Sequence, residues 1–268
     1  MKCTNVQYES IIMFVVKQIT KDNINYLVPN HFWNLSSSLL LYFYDERLLK
    51  SAYKQASFKS NYFKVPTITF IDESKTRTLF EMNFIQGNSF VEFFLNASKR
   101  DLDKLIESLK GYFSETIKEE RVFQIEKFHS KLDKMGESGY AHFIPNVGGI
   151  KMYVGECHGD MTFSNMMFND NFYLIDFLDS YIESPTMDLI KLRQDTHLFY
   201  SLNMMKQSNV DRTKIKTGLN YIDEWLVATY NMEHYKALQT INLLRIKPYS
   251  DKPLQKYLTK MIDELWQV

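Results

Sequence analysis

The segment "ECHGDMTFSNMMFNDNFYLIDFLDS", from Glu156 to Ser180, constrains the fold more than any other part of the sequence. It holds two short apolar runs, "MMF" and "FYLI", on either side of the turn-forming triplet "NDN" at 169–171, and this pattern predicts a β-hairpin. The turn fixes the register, which pairs Phe168 with Phe172, Met166 with Leu174 and Asn165 with Ile175. Asp176 is then expected to lie diagonally beside Asn165, at the end of the hairpin.

These polar residues suggest a chemical role for the hairpin. Asn165 and Asp176 offer an amide oxygen and a carboxylate side by side, a donor set that Mg²⁺ accepts together with phosphate oxygens and water. Asp160 precedes Asn165 on the loop that enters the hairpin, where it can point a second carboxylate at a substrate hydroxyl. A purely structural interpretation is open as well, because Asn at a strand start and Asp at a strand end are common turn formers.

The chain is predicted to have two lobes, residues 1–86 and residues 87–268. No glycine occurs before Gly87, and the first lobe alternates strand-like runs such as "IIMFVVKQI" and "FKVPTITFI" with the helix-like stretch "LYFYDERLLKSAYKQ". A strand from Thr78 to about Phe84 ends at the turn signal formed by Gly87 and Asn88, where we place the boundary. The first lobe is therefore predicted to be small and of mixed α and β structure.

The second lobe is predicted to be mainly helical. Between Lys99 and Met135 the apolar residues recur at three- and four-residue steps, which indicates one long helix or two helices joined near Ser114. Ser184 and Pro185 combine a helix N-cap with a proline at the first helical position, so a new helix should begin there. The later stretches "DEWLVATYNMEHYKALQTINLLRI" and "LQKYLTKMIDELW" are amphipathic too. The predicted fold class is α+β.

The composition limits the partners. Lys and Arg total 32, as do Asp and Glu, so the chain lacks the basic field that favours nucleic acid and the acidic excess that attracts polycations. Cys3 and Cys157 have no metal-site spacing, which fits a reducing, cytoplasmic compartment. The apolar run at 11–16 is too short to span a membrane. The sequence does not decide the oligomeric state.

The pattern H-G-D-x-x-x-x-N followed by I-D-F resembles the catalytic and metal-binding segments of the kinase-like phosphotransferases, the superfamily of aminoglycoside phosphotransferases and choline kinases. The resemblance is strongest from Cys157 to Asp195. There "CHGDMTFSNMMF", "YLIDFLDS" and "SPTMDLIKLRQD" are also similar to a bacterial subgroup associated with surface-polysaccharide biosynthesis. It implies a bilobal protein-kinase-like fold and the cofactors ATP and Mg²⁺.

The resemblance also implies a role for each motif residue. Asp160 would orient or deprotonate the acceptor hydroxyl, while Asn165 and Asp176 would hold magnesium. His158 would brace the catalytic loop, which agrees with the usual role of a hydrogen-bonded loop histidine. Such chemistry depends on positioning and electrostatics around the γ-phosphoryl group, so few residue types are required.

In the first lobe the resemblance assigns nucleotide contacts to four residues. Lys17 would reach the α- and β-phosphates and Glu46 would steady it, whereas Met82 and Phe84 lie in the stretch "EMNFIQG", which resembles the hinge that pairs with adenine. Ordinary exposed charges and an edge strand are the alternative interpretations. The short, glycine-free start departs from the family pattern and leaves open a non-catalytic nucleotide-binding or scaffold pseudokinase.

Three further residues are candidates for acceptor binding: Asp179, Arg193 and Asp195. Asp179 could instead cap a turn, and the other two could form salt bridges. Asp188 is expected to tie its helix to the catalytic loop. The function that this sequence indicates best is a cytoplasmic phosphotransferase that moves the γ-phosphoryl group of ATP to a hydroxyl of a small molecule, and the favoured acceptor is a sugar or glycan precursor.

Overall fold

The structure, a computed structural model, describes residues 38–43, 46–73, 78–145, 148–205 and 207–267, with the backbone alone for 38–48, 70–73 and 78–81. The chain divides into two compact units. The first comprises the described parts of Met1–Ser57 and Pro66–Ile85, and the second comprises Phe58–Val65 and Gln86–Val268. No described helix is both long and apolar enough to cross a lipid bilayer.

The first unit contains a three-stranded antiparallel sheet and one helix. The strands are β1 (Ser38–Phe43), β2 (Ile68–Glu73) and β3 (Thr78–Asn83), in the spatial order β1-β3-β2. The predicted strand that begins at Thr78 is thereby confirmed. Helix α1 (Glu46–Ser57) begins later than the helix-like sequence suggested, since "LYF" belongs to β1. The predicted strand "IIMFVVKQI" lies outside the described residues.

The second unit begins with two capped helices and a strand pair. Helices α2 (Phe90–Asn96) and α3 (Lys99–Thr116) each start with a serine capping box, which satisfies backbone N–H groups of the first turn. Strand β4 (Ile117–Phe123) follows and pairs with β5 (Ile150–Gly155), and α4 (Ile125–Met135) leads to a 3₁₀ turn at Ser138–Phe143.

Strand β4 corrects the prediction of one helix or two joined helices between Lys99 and Met135. The two helices exist, but a strand separates them. Five of the seven residues of β4 are exposed, and its backbone hydrogen bonds go to β5, far along the sequence. Local apolar spacing does not register such a long-range pairing, and the context of the sheet overrides the local preference.

The predicted hairpin is confirmed with its register. Strands β6 (Met166–Phe168) and β7 (Phe172–Leu174) pair Phe168 with Phe172 and Met166 with Leu174, and the backbone N–H of Ile175 donates to the carbonyl of Asn165 at 3.0 Å. The backbone of Asn88 exchanges two hydrogen bonds with Phe168 on one side of the hairpin. On the other side, the backbone N–H of Lys64 donates to the carbonyl of Phe172, and its carbonyl accepts from the N–H of Leu174, so both edges of the hairpin are held.

The remaining helices are α5 (Pro185–Thr196), α6 (Tyr200–Asn203), α7 (Asn209–Thr229), α8 (Tyr235–Ile246) and α9 (Lys252–Trp266). Helix α5 packs against α6, α7, α8 and strand β5. Helix α5 has the predicted cap, because the Ser184 side chain accepts from the backbone of Thr186 and Pro185 opens the helix. All 12 residues of α5 are buried. Leu189 belongs to one apolar cluster and Ile190 to the other, so α5 lies between the two halves of the core.

Candidate active site

The loop "CHGD" is fastened to helix α5 by one buried carboxylate. Asp188 accepts hydrogen bonds from the backbone N–H of His158 at 2.7 Å, from that of Gly159 at 2.8 Å and from the hydroxyl of Tyr112 at 2.6 Å. Gly159 has a φ of 91°, a backbone conformation that residues with a Cβ rarely adopt. The sequence-based expectation that Asp188 ties its helix to this loop is therefore confirmed.

His158 is fully buried within the loop and uses both ring nitrogens. Its Nε2 lies 2.8 Å from the carbonyl of Ile175, which can only accept, so Nε2 carries the proton. Its Nδ1 accepts the backbone N–H of Asp160 at 3.2 Å. These contacts connect the catalytic loop to the end of the hairpin and leave the ring no nitrogen for a substrate, as expected of a bracing residue.

Asp160 is held through both carboxylate oxygens. Its Oδ1 lies 2.8 Å from Nζ of Lys191, and its Oδ2 accepts from the side-chain amide of Asn165 at 3.0 Å. Burial opposes ionisation of Asp160, but the charge and hydrogen bond of Lys191, together with smaller contributions from His158 and Asn165, outweigh it, and the pKa of Asp160 lies below its ordinary value. The carboxylate is therefore ionised at neutral pH, in the form that attracts a hydroxyl proton.

Asn165 is oriented with its amide oxygen left over. The amide nitrogen donates to the backbone carbonyl of Asp160 at 2.9 Å as well as to its carboxylate. The amide oxygen accepts no hydrogen bond from the described residues. A neutral oxygen donor fixed in this way is a suitable ligand for a hard cation.

The carboxylate of Asp176 has no cation beside it in the described chain to balance its charge when it ionises. Burial and the nearby charge of Asp160 raise its pKa to about 7, and within the described chain its carboxylate accepts no hydrogen bond. Its φ of 60° is a left-handed conformation, uncommon for residues other than glycine and often found at functional positions. Two repelling carboxylates beside a free amide oxygen are relieved by a divalent cation, so the residues present fit Mg²⁺.

A cluster of three or more His, Cys, Asp or Glu side chains at metal-binding distance does not occur among the described residues. Mg²⁺ takes few protein ligands and completes its shell with water and phosphate oxygens.

The acceptor-site candidates on helix α5 have structural partners. Arg193 donates from its Nε and Nη2 to the carboxylate of Asp223 at 3.0 and 3.2 Å, and its guanidinium lies over the ring of Tyr235. Asp195 accepts the backbone N–H groups of Phe163 and Ser201 at 2.8 and 2.9 Å. Both residues are buried, and their roles in acceptor binding stay predictions.

The pKa of Asp195 is raised to about 6, because burial outweighs these two backbone hydrogen bonds. Asp195 thus anchors the start of the hairpin from the far end of α5. Asp179, by contrast, is exposed and follows the metal-site candidate Asp176, so it stays a prediction for acceptor binding.

The nucleotide-contact candidates belong to the first unit. Lys17 lies outside the described residues, and for Glu46 the structure gives only its position at the start of α1. Met82 is half-buried on β3, where its sulfur lies 3.2 Å from the side-chain amide of Gln55. Phe84 is half-buried and follows the end of the strand. The nucleotide-binding roles of these four residues stay predictions.

Lys191 is the functional residue that the sequence interpretation missed. A signal was present, since Lys191 follows Asp188 by three residues on a helix, a spacing that puts both side chains on one face. Once Asp188 is assigned to the catalytic loop, Lys191 is expected to face the same loop. Its side chain is 11% exposed, and it is thus a buried cation whose charge Asp160 balances.

Comparisons with known proteins concern the family and the fold. A family model described as "ecdysteroid kinase-like family" matches residues 66–235, more than half of the chain, including the loop, the hairpin and helix α5 described above. One similar solved structure is a thermostable mutant of aminoglycoside phosphotransferase APH(4)-Ia in a ternary complex with ADP and hygromycin B. It has a TM-score of 0.56 and 9% identity, over 85% of this chain and 85% of that one.

The apo form of a thermostable mutant of the same enzyme gives a TM-score of 0.53 and 11% identity, over 85% of this chain and 86% of that one. No curated protein sequence matches the chain significantly. At these identities the likeness defines the fold, and it confirms the predicted α+β, protein-kinase-like fold.

Proposed function

This chain belongs to the ecdysteroid kinase-like family, and on that premise we propose that it is an ATP- and Mg²⁺-dependent small-molecule kinase. It transfers the γ-phosphoryl group of ATP to a hydroxyl group of a sugar or glycan precursor. The observation that carries the proposal is the ionised Asp160 carboxylate, fixed between Lys191 and Asn165 beside an uncompensated Asp176. The ADP and hygromycin B bound by a similar structure support a nucleotide and a small-molecule acceptor.

In this mechanism Asp160 orients the acceptor. A carboxylate has about four lone-pair sites, so Asp160 can accept a hydroxyl proton while it keeps Lys191 and Asn165. The acceptor oxygen is thereby aimed at the γ-phosphorus, and Asp160 takes the proton as the new P–O bond forms and the bond to the leaving oxygen breaks. Lys191 keeps Asp160 ionised until then.

Asn165 and Asp176 are the residues that would hold Mg²⁺, which when bound neutralises phosphate charge. The protein keeps these ligands in place from both sides. Asp188 fixes the loop backbone, and His158 connects that loop to the carbonyl of Ile175, next to Asp176. The site is thus preorganised, which is the main contribution that a phosphotransferase makes to this chemistry.

The finer parts of the proposal rest on the sequence. The similarity of "CHGDMTFSNMMF" and "SPTMDLIKLRQD" to a bacterial surface-polysaccharide subgroup favours a sugar or glycan precursor as the acceptor. Balanced net charge argues against a nucleic-acid partner, and dependence on ATP fits the cytoplasm. The subgroup and the compartment are part of the proposal.

A phosphoryl-transfer screen with γ-labelled ATP tests the function. The acceptor panel contains sugars, sugar phosphates, nucleotide-sugars, hygromycin B and an ecdysteroid, with and without Mg²⁺. We expect transfer to at least one sugar-type acceptor, and Asp160→Asn should lower that turnover by on the order of 10²–10⁴ without weakening nucleotide binding.

Three results would count against the proposal. Near wild-type turnover by Asp160→Asn would remove Asp160 from catalysis. Transfer to the ecdysteroid or to hygromycin B alone would replace the acceptor class. An ATP-induced rise in melting temperature without transfer to any acceptor would favour the scaffold pseudokinase.

A further inference from the structure

Two cations from other helices, Lys131 of α4 and Arg245 of α8, pack against Tyr181, in the segment that follows the metal-site candidate Asp176. The guanidinium of Arg245 is 5.0 Å from the centroid of the Tyr181 ring, and Nζ of Lys131 is 5.7 Å from it. Among the residues that the structure describes, neither cation has a carboxylate oxygen within 4.0 Å. We call Lys131, Tyr181 and Arg245 the Tyr181 cluster.

The cluster differs from Lys191 and Lys247, two other cations of the second unit with largely buried side chains. Lys247 lies 2.8 Å from the carboxylate of Glu137, and Lys191 is paired with Asp160. In the Tyr181 cluster, burial and then repulsion from Arg245 and Lys134 hold the pKa of Lys131 below its ordinary value. The cations therefore repel each other, and a bound anion would relieve that repulsion.

Ser180 and Tyr181 are neighbours in the sequence, and both carry hydroxyl groups that lack partners in the described part of the chain. Their side-chain oxygens are buried and make no hydrogen bond to a described residue. A buried hydroxyl usually has a partner, and both of these could donate to an anionic oxygen. The helix dipole stabilises a cation in the last turn of a helix, which could account for Arg245 at the end of α8. It does not account for Lys131, which lies in the middle of α4.

The protein holds this segment beside the catalytic loop. The Glu183 carboxylate accepts from the backbone N–H of Ser180 at 2.5 Å and from Sγ of Cys157 at 3.0 Å. The backbone N–H of Leu178 donates to the carbonyl of His158 at 3.1 Å. Tyr181 lies five residues after Asp176, so the chain keeps these two residues within about 18 Å even when it is extended. The hydrogen bonds to Cys157 and His158 hold the segment against the loop that carries Asp160.

We propose that the Tyr181 cluster binds an anionic group, a carboxylate or a phosphate, on the acceptor that the enzyme phosphorylates. The inference rests on the proposed function for the chemistry at Asp160, and it narrows the acceptor to an acidic sugar or a sugar phosphate. Arg245 supplies the planar, multidentate donors that suit both kinds of anion, and Lys131 supplies a second charge.

Binding can be measured without turnover in the Asp160→Asn protein. Calorimetric titrations at low ionic strength use glucose, glucuronate and glucose 6-phosphate as probes. The Asp160→Asn protein, the parent of the variants below, should bind at least one anionic probe more tightly than glucose. Tighter binding of glucuronate would indicate a carboxylate site, and tighter binding of glucose 6-phosphate a phosphate site. Adding Lys131→Gln and Arg245→Gln together should weaken that binding at least tenfold.

Two further variants make the test specific. Lys127→Gln removes a cation one turn earlier on α4 that also lies over an aromatic ring, that of Phe123, and it should leave binding unchanged. When Arg245→Lys takes the place of Arg245→Gln in the double variant, part of the affinity should be restored. Melting temperatures should not fall in the double variant, because it removes two mutually repelling charges.

The proposal is overturned if the double variant binds the anion as the parent does, or if glucose binds as tightly as both anionic probes. A variant that loses binding only because it unfolds is recognised by its melting temperature, and Arg245→Lys then decides. Anion binding at the cluster without phosphoryl transfer in the wild type would overturn the proposed function and leave the anion site intact.

Discussion

At the scale of single residues, the candidate site consists of a few charged side chains whose partners differ. Asp160 is balanced by Lys191, and Asp176 is balanced by nothing in the described chain. This asymmetry separates the two carboxylates, because one is kept ionised by a permanent partner while the other is poised to gain a cation. When the environments of two carboxylates shift their pKa values in opposite directions, the two groups can be assigned separate chemical roles.

Lys191→Met should raise the pKa of Asp160, because burial then acts without the opposing charge. We expect turnover at neutral pH to fall about 10–10²-fold and the acidic limb of the kcat–pH profile to move to higher pH. Lys191→Arg keeps the charge and should retain the wild-type profile. A Lys191→Met protein with lower activity but an unmoved acidic limb would mean that Lys191 has only a packing role.

Asp176→Asn should stabilise the metal-free protein at alkaline pH. The folded-state pKa of Asp176 is about 7, above the unfolded value, so the folded protein retains a proton that the unfolded chain releases between about pH 4 and 7. Its contribution to stability is present below pH 4, is lost as the pH rises to 7 and stays absent above. Asn carries no such charge.

At pH 8 without metal, we expect the melting temperature of Asp176→Asn to exceed that of the wild type by about 2–6 °C, with the gap narrowing toward pH 5. Mg²⁺-ATP should stabilise the wild type and have little effect on the variant. Asp179→Asn, a change at an exposed carboxylate nearby, serves as the control and should shift neither value. Equal melting temperatures of wild type and Asp176→Asn at pH 8 would contradict the raised pKa.

At the scale of elements, helix α5 is the scaffold of the site. Three side chains of this helix hold the site. Asp188 binds the backbone of the loop, Lys191 pairs with the carboxylate of Asp160, and Asp195 binds the backbone at the start of the hairpin. Three contacts from one rigid rod define the loop more precisely than contacts from three separate loops would. Because α5 is buried on all sides, it has little freedom to shift.

Asp188→Asn should damage both stability and activity. The amide has one oxygen acceptor where Asp188 now accepts three hydrogen bonds, and its NH₂ group would face a backbone donor. We expect a loss of about 2–4 kcal/mol in the free energy of unfolding, measured by urea denaturation, together with a large fall in turnover.

Asp263→Asn, at an exposed position on α9, is the matched control and should change stability by less than about 0.5 kcal/mol. An Asp188→Asn protein as stable as this control would show that the three hydrogen bonds contribute little. Full activity at reduced stability would show that the loop geometry does not depend on them.

At the scale of the whole molecule, sequence interpretation succeeded where the determining contacts are local. The hairpin register follows from the turn at 169–171, and the start of α5 follows from Ser184 and Pro185. It failed where distant segments meet. Strand β4 forms because β5 pairs with it. The sequence left a salt bridge of Arg193 open as an alternative but could not name its partner, because Asp223 arrives from α7. The spacing of apolar residues contains no record of such partners.

The candidate site divides in the same way. Asp160, Asn165 and Asp176 come together through one loop and one hairpin, so a short motif was enough to propose their grouping. Lys191 reaches them from another element, and the Tyr181 cluster needs α4 and α8 as well. Groupings of this second kind require the folded chain.

Helix α5 touches both apolar clusters and also holds the catalytic loop, which couples the working site to the cooperative unit of folding. A local opening that frees His158 and Gly159 must disturb the packing of α5, and that disturbance reaches both halves of the core. The backbone amides of these two residues should therefore exchange with deuterium as slowly as the most protected amides of the second unit. When a sample is heated, each molecule should be either folded with the loop in place or unfolded. No population of folded molecules with a locally opened loop is expected.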